Sequence, residues 1–141
     1  MEFFYFDKLN SQFLDIRKDK LPYQEYIQTL YNSKVAISPF GMGELCFRDY
    51  ELVQAGCLLI KPDISPIITT PEWLIPNETY IPVKVDWSDL NETIEKVLAN
   101  YKDYQYIIDN SRTKLVEMFS YHNVGRYWYD FFANQSGVES E

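Results

Sequence analysis

The 141 residues are enough for one hydrophobic core. Apolar residues at 46% and charged residues at 24% suit a soluble globular domain, while a formal net charge of −8 argues against nucleic acid as a partner, because neutralising phosphates takes a basic surface. The aromatic share is unusual: 12 Tyr, 9 Phe and 3 Trp exceed what one small core needs and point to a stacking site or an interface.

The start, Met1-Glu2-Phe3-Phe4, lacks the basic residues and long apolar stretch of a signal peptide. No apolar run approaches the roughly 18 residues of a membrane span, so the expected location is cytoplasmic. Cys46 and Cys57 are expected to be free, partly buried thiols of a reducing compartment. With His122 as the lone histidine, the spacings predict no metal cluster.

Taken in order, Phe3 to Phe6 reads as a short aromatic strand, followed by a polar turn at Lys8 to Ser11. Asp15 to Lys20 is a charged connector whose Arg17, Lys18 and Lys20 either flank a phosphate ligand or are simply solvated. Pro22 starts a helix at its favoured first position, with Tyr23, Tyr26, Ile27 and Leu30 at helical spacing for core packing. Asn32-Ser33 closes that helix, and the β-branched run from Val35 to Ser38 enters a sheet. The chain then turns through Pro39, Gly41 and Gly43, enters a helical pattern over Glu44 to Ala55, stops at Gly56, and resumes with an apolar strand from Cys57 to Ile60. Strand, glycine loop, helix and strand make the repeating unit of a parallel sheet.

Lys61-Pro62-Asp63 ends this second strand, and Asp63 either approaches a ligand at the carboxyl edge or caps the next turn. Pro66, Pro71 and Pro76 make Ser65 to Glu78 a loop, with one turn of helix expected near Glu72-Trp73-Leu74. Trp73 is either a buried anchor for that loop, the favoured reading, or part of a pocket. Thr79 to Val85 reads as a third strand despite Pro82. A helix with Leu90, Ile94, Val97 and Leu98 inward follows, its start offering a capping box from Asp89 with Glu92 or from Ser88 with Asn91. A further helix runs from about Tyr104, with Ile107, Ile108, Leu115, Val116 and Phe119 in register. The last helix, His122 to about Asn134, carries Tyr127, Trp128, Tyr129, Phe131 and Phe132 nearly all round, which predicts burial against something else. His122 is read as a helix-end hydrogen-bonding group, since no nucleophile accompanies it. The expected organisation is one Rossmann-like domain over 1–135, a small and mainly parallel sheet flanked by helices in three layers, with an acidic tail at 136–141.

The glycine loop and its helix carry the chemistry. Glycines between a strand and a helix N-terminus suit a phosphate or sugar, because main-chain N–H groups can approach closely. GMGE is neither a dinucleotide fingerprint nor a P-loop, so the motif alone is weak. On a helix from Glu44, at about 100° per residue, Glu44, Arg48, Glu51 and Ala55 share one stripe. That stripe is either a solvated face held by Glu44–Arg48 and Arg48–Glu51 pairs or, as preferred here, a ligand face. There Arg48 meets a diphosphate in forked contacts and Glu51 accepts from a ribose diol.

The stretch SPFGMGELCFRDYELVQAGCLLIKPD resembles the donor-binding segment of the GT-B glycosyltransferases, in their exostosin-like and bacterial polysaccharide branches. YELVQAG is similar to the glutamate-centred helix of that superfamily, so Glu51 matches the residue that holds the nucleotide ribose, and Arg48 matches a basic position near the donor phosphates. The common retaining pattern has two glutamates eight positions apart; here that position is Gly43, and the acid stands at Glu44. The likeness extends more loosely from about Asp15 to Phe132.

The resemblance implies a donor-binding domain that recognises a nucleotide diphosphate sugar for metal-independent glycosyl transfer, with no cofactor besides that donor. It assigns Arg48 and Glu44 to catalysis, and Gly41, Met42, Gly43, Arg48, Glu51 and Asp63 to the donor. Main-chain groups of the Gly41–Gly43 loop and the helix positive end would join Arg48 in stabilising the leaving diphosphate. No Asp-x-Asp triplet is present to hold a divalent metal. The implied partner is an acceptor domain carrying the general base. The alternatives are a non-catalytic nucleotide-binding module, or an interaction domain that dimerises through the aromatic last helix.

Overall fold

A computed structural model describes residues 20–69 and 71–136. The expected strand at Phe3 to Phe6, Arg17 and Lys18 of the basic connector, and the tail at 137–141 lie outside the described residues. The elements in order are α1 (Tyr23–Tyr31), β1 (Val35–Ile37), α2 (Phe47–Ala55), β2 (Leu58–Pro62), β3 (Ile81–Val83), α3 (Leu90–Ala99), a 3₁₀ turn at Tyr101–Tyr104, α4 (Gln105–Phe119) and α5 (Tyr121–Ser136).

The three strands are parallel in the order β1-β2-β3. Val35 lies opposite Leu58, Ile37 opposite Ile60, and Ile60 in turn opposite Ile81. β2 is central and all five of its residues are buried, as a parallel strand covered on both faces requires. Alternation along β2 sorts its side chains into two cores. Leu59 joins Leu30, Leu52, Val53, Trp73, Tyr80 and Leu115 on the α1–α2 side. Leu58 and Ile60 join Ile81, Val83, Leu90, Ile94 and Val97 under α3. α4 serves both, giving Ile107 and Ile108 to the second core and Leu115 to the first. The result is a mixed α/β architecture, a small parallel sheet between helical layers, as in Rossmann-like folds.

Several boundaries differ from the sequence reading, each for a local reason. α2 begins at Phe47, three residues later than expected, because Asp49 at its third position accepts the Cys46 N–H at 3.0 Å and fixes Cys46 as the N-cap. Pro22 is the N-cap of α1, one residue ahead of the helix. No helical turn forms at Glu72 to Leu74, where consecutive Trp73 and Leu74 are both drawn into the core. β3 is confined to Ile81–Val83, and Pro82 is tolerated because β3 is an edge of the described sheet. At α3 the N-cap Asp89 makes no side-chain cap bond and instead accepts the Lys84 N–H at 2.9 Å, while the Ser88 N–H goes to Asp86. α5 extends through Ser136, two residues past the expected helix end at about Asn134 and onto the first residue of the expected tail.

Candidate functional site

The loop between β1 and α2 leaves the carboxyl edge of the sheet, and one buried carboxylate holds both of its ends. The Ser38 N–H makes the last bond to β2, donating to the Ile60 carbonyl at 2.9 Å. The Ser38 hydroxyl then donates to Asp49 Oδ1 at 2.6 Å, and the Cys46 N–H donates to Asp49 Oδ2 at 3.0 Å. Lys61, on the same face of β2 as Leu59, reaches Asp49 with Nζ 3.2 Å from Oδ1 and 3.1 Å from Oδ2. Both side chains of this ion pair have zero exposure. The Phe40 ring covers the ammonium, 5.3 Å from its centroid. A buried pair offsets its desolvation only when the remaining lone pairs are satisfied, and here each carboxylate oxygen accepts two hydrogen bonds. Between the clamped ends the chain is open. Gly41, Met42, Gly43 and Glu44 are exposed, and the bend is closed on itself by the Gly41 N–H donating to the Gly43 carbonyl at 3.0 Å.

Glu44, Arg48 and Glu51, expected on one stripe, fall on two sides of α2. Glu51 is half-buried against α1, where its Oε2 accepts the Tyr26 hydroxyl at 2.7 Å. Arg48 is exposed and acts on the same hydroxyl. Burial raises the Tyr26 pKa to about 12, the Glu51 carboxylate adds to the rise, and Arg48 pulls the other way. Arg48, Glu51 and Tyr26 thus form one cluster at the α1–α2 seam. Gly43 and Glu44 instead line a cleft of about 420 Å³ with Leu45, Tyr50, Trp73 and Met118. Neither Arg48 nor Glu51 lines it, so the stripe expected from Glu44 to Ala55 is divided, Glu44 lying before the helix starts.

In that cleft the Tyr50 and Trp73 rings stack with centroids 4.9 Å apart, and Phe119 meets Tyr50 edge-on at 5.7 Å. Trp73 is 2% exposed, and its indole N–H is a buried side-chain polar group with no partner among the described residues. An unmet buried donor costs on the order of 1–3 kcal/mol. Trp73 is thus a buried anchor of its loop, and it also borders the cleft.

Asp63 stands at the carboxyl end of β2, with its carboxylate engaged locally. It accepts the Ser65 N–H at 2.9 Å, the Ser65 hydroxyl at 3.0 Å and the Tyr80 hydroxyl at 3.4 Å, so it caps the next turn. Lys20 is exposed, as is His122 at the start of α5. Among the described residues no group of three or more His, Cys, Asp and Glu side chains converges as a metal site would require, and no helix is long and apolar enough to cross a membrane.

The sequence reading passed over Ser38, Asp49, Lys61 and Tyr26 as site-shaping residues. Two signals were present. Lys61 is the single charge in an otherwise apolar central strand, which demands a buried partner. Asp49 follows Cys46 by three, the spacing of a capping box. No family model matches the chain, and comparison with curated proteins finds no match.

Proposed function

We propose that the chain binds a nucleotide diphosphate sugar at the Ser38–Cys46 loop and serves as the donor half of a glycosyltransferase. The observation that carries this reading is the clamp. One buried carboxylate, Asp49, fixes both ends of the loop and leaves Gly41–Gly43 exposed at the carboxyl edge of a parallel sheet. A fixed loop at the start of a nine-residue helix offers N–H groups and positive dipole to a diphosphate, and exposed Arg48 supplies a forked cation in the first turn. Glu51, whose Oε2 accepts the Tyr26 hydroxyl, takes the ribose with its other oxygen, and Glu44 lies on the sugar side. The stabilisation of leaving diphosphate rests on these groups, and the general base belongs to an acceptor domain.

Titration calorimetry with UDP, GDP and ADP tests this reading. At least one should bind, and Arg48→Ala should weaken it about tenfold, the loss of one charge-assisted contact. If none binds at millimolar concentration, the reading fails. Binding without transfer or donor hydrolysis, even beside candidate acceptor domains, would leave a nucleotide-binding module.

One observation favours a second reading. Trp128, Tyr129, Phe131 and Phe132 of α5 are 40–62% exposed, with Trp128 stacked on Phe132 at 5.9 Å and edge-on to Phe131 at 5.9 Å. An interaction domain would dimerise through this face. Light scattering should then report a dimer that Trp128→Glu converts to monomer, with no nucleotide affinity.

A further inference from the structure

We propose that Tyr26 is a positioning residue of the donor site: its hydroxyl fixes the Glu51 carboxylate and keeps it off Arg48, so that the site selects an intact ribose diol. The identity of the ligand rests on the donor reading above. The structural part rests on one contact, the Tyr26 hydroxyl donating to Glu51 Oε2 at 2.7 Å across the α1–α2 seam.

On a bare helix surface the two charges would arrange themselves differently. Arg48 and Glu51 stand three residues apart on α2, the spacing at which opposite charges pair. Among the described residues they form no ion pair; the pair present is Lys61–Asp49. The Glu51 carboxylate turns instead to α1, while the exposed Arg48 guanidinium acts on the same hydroxyl in the opposite electrostatic sense. A neutral donor has thus taken the place that the cation would fill. An Arg48–Glu51 pair would leave each group occupied by the other, and a nucleoside diphosphate needs both.

Tyr26 is itself held in place. Its N–H donates to the Pro22 carbonyl at 3.0 Å, in the first turn of α1, and its side chain packs against the first core. α1 is anchored in turn by buried Leu30, whose carbonyl accepts the Cys57 thiol at 3.2 Å. A glutamate tied to such a support loses its rotamer freedom on folding and not on binding, which is the benefit of preorganisation. After accepting this one bond a carboxylate still has acceptor capacity for two vicinal hydroxyls.

Calorimetry compares whichever of UDP, GDP and ADP binds tightest with its 2′,3′-dideoxy form, on the wild-type chain, Tyr26→Phe, Glu51→Ala and the double variant. The wild-type chain should bind the ribose compound about tenfold tighter than the dideoxy one, the size of one charge-assisted contact. Tyr26→Phe should lose that preference although Arg48 and Glu51 both remain. Were the hydroxyl only a staple between α1 and α2, its removal would lower the urea midpoint and leave the preference intact; that result overturns the inference. Glu51→Ala should lose the preference too, and adding Tyr26→Phe to it should bring no further loss of affinity, because Tyr26 acts through Glu51. A further tenfold loss in the double variant overturns the inference. This last comparison also decides the matter if Tyr26→Phe alone does not fold, since the double variant leaves no carboxylate without its partner. A wild-type chain that binds both forms equally removes Glu51 from the ribose, and the inference with it. In each of these adverse cases a diphosphate still binds and the donor reading survives; if none binds at millimolar concentration, that reading falls and the inference with it.

Discussion

Lys61 Nζ lies 3.1 Å from Asp49 Oδ2, joining the central strand to the helix that follows the glycine loop, and neither side chain is exposed. The same carboxylate binds Ser38 and the Cys46 N–H, so one contact sets the sheet, the helix start and the loop ends together. Removing one partner leaves a buried charge uncompensated, at a typical cost of about 3–5 kcal/mol. Lys61→Met should lower urea-unfolding stability by that amount. The double variant Asp49→Asn, Lys61→Met should recover at least about 1 kcal/mol of the loss, because the orphaned charge is gone. A double variant as unstable as the sum of the two singles would show that the pair is not coupled.

That pair marks where sequence reasoning stopped. The β1–loop–α2–β2 unit was legible because β-branched runs, glycines and a helical period follow one another in order, and the three-layer parallel architecture came from it. The site's internal geometry was not. A helical wheel started at Glu44 places Glu44 with Arg48 and Glu51, but capping by Asp49 delays the helix to Phe47 and sends Glu44 to the opposite side. Helix starts are set by a single side-chain bond, which a 3.6-residue period cannot register. The contact from Tyr26 to Glu51 spans 25 residues and depends on how α1 docks on α2, which no local pattern encodes.

Buried Cys57 and Tyr80 and half-buried Tyr26 give the chain a defined alkaline limit. Burial raises the Cys57 thiol from 9.0 to about 11. Burial, together with the neighbouring carboxylates, raises Tyr26 and Tyr80 from 10.0 to about 12. Each group holds its proton more tightly folded than unfolded. The stability they contribute is therefore complete below the unfolded values and is lost as pH rises through the folded ones. Urea midpoints measured from about pH 8 upward should start to fall near pH 9 and fall more steeply between pH 10 and 12. Tyr26→Phe should make the upper segment shallower. An unchanged slope in that variant would remove Tyr26 from the account.

Gly56 ends α2 with φ +83°, in the left-handed region, where its N–H donates to the Val53 carbonyl at 3.1 Å. An added Cβ would meet the Arg112 guanidinium at 3.7 Å, ordinary van der Waals contact, so space is not the obstacle. The cost of Gly56→Ala is conformational, about 1 kcal/mol. Thermal or urea unfolding should show a loss of that size with the fold retained. A neutral or stabilising result would mean that the turn relaxes to negative φ.

Cys46 is the weak arm of the box that starts α2. Its N–H is well served by Asp49 Oδ2, but the reciprocal arm depends on a thiol, a poor acceptor for the Asp49 N–H. The thiol also sits 3.6 Å from the Ser38 hydroxyl, long for a strong bond. A serine hydroxyl is smaller, accepts better, and is among the preferred N-caps. Cys46→Ser should therefore stabilise the chain by about 0.5–1 kcal/mol without disturbing Gly41, whose added Cβ would lie 3.7 Å from the Cys46 Cβ shared by both residues. Because the cap also fixes one end of the loop, the variant should preserve or tighten nucleoside diphosphate binding. Stabilisation with weakened binding would mean that the loop must loosen to accept its ligand, and that the Asp49 clamp restrains the site instead of preparing it.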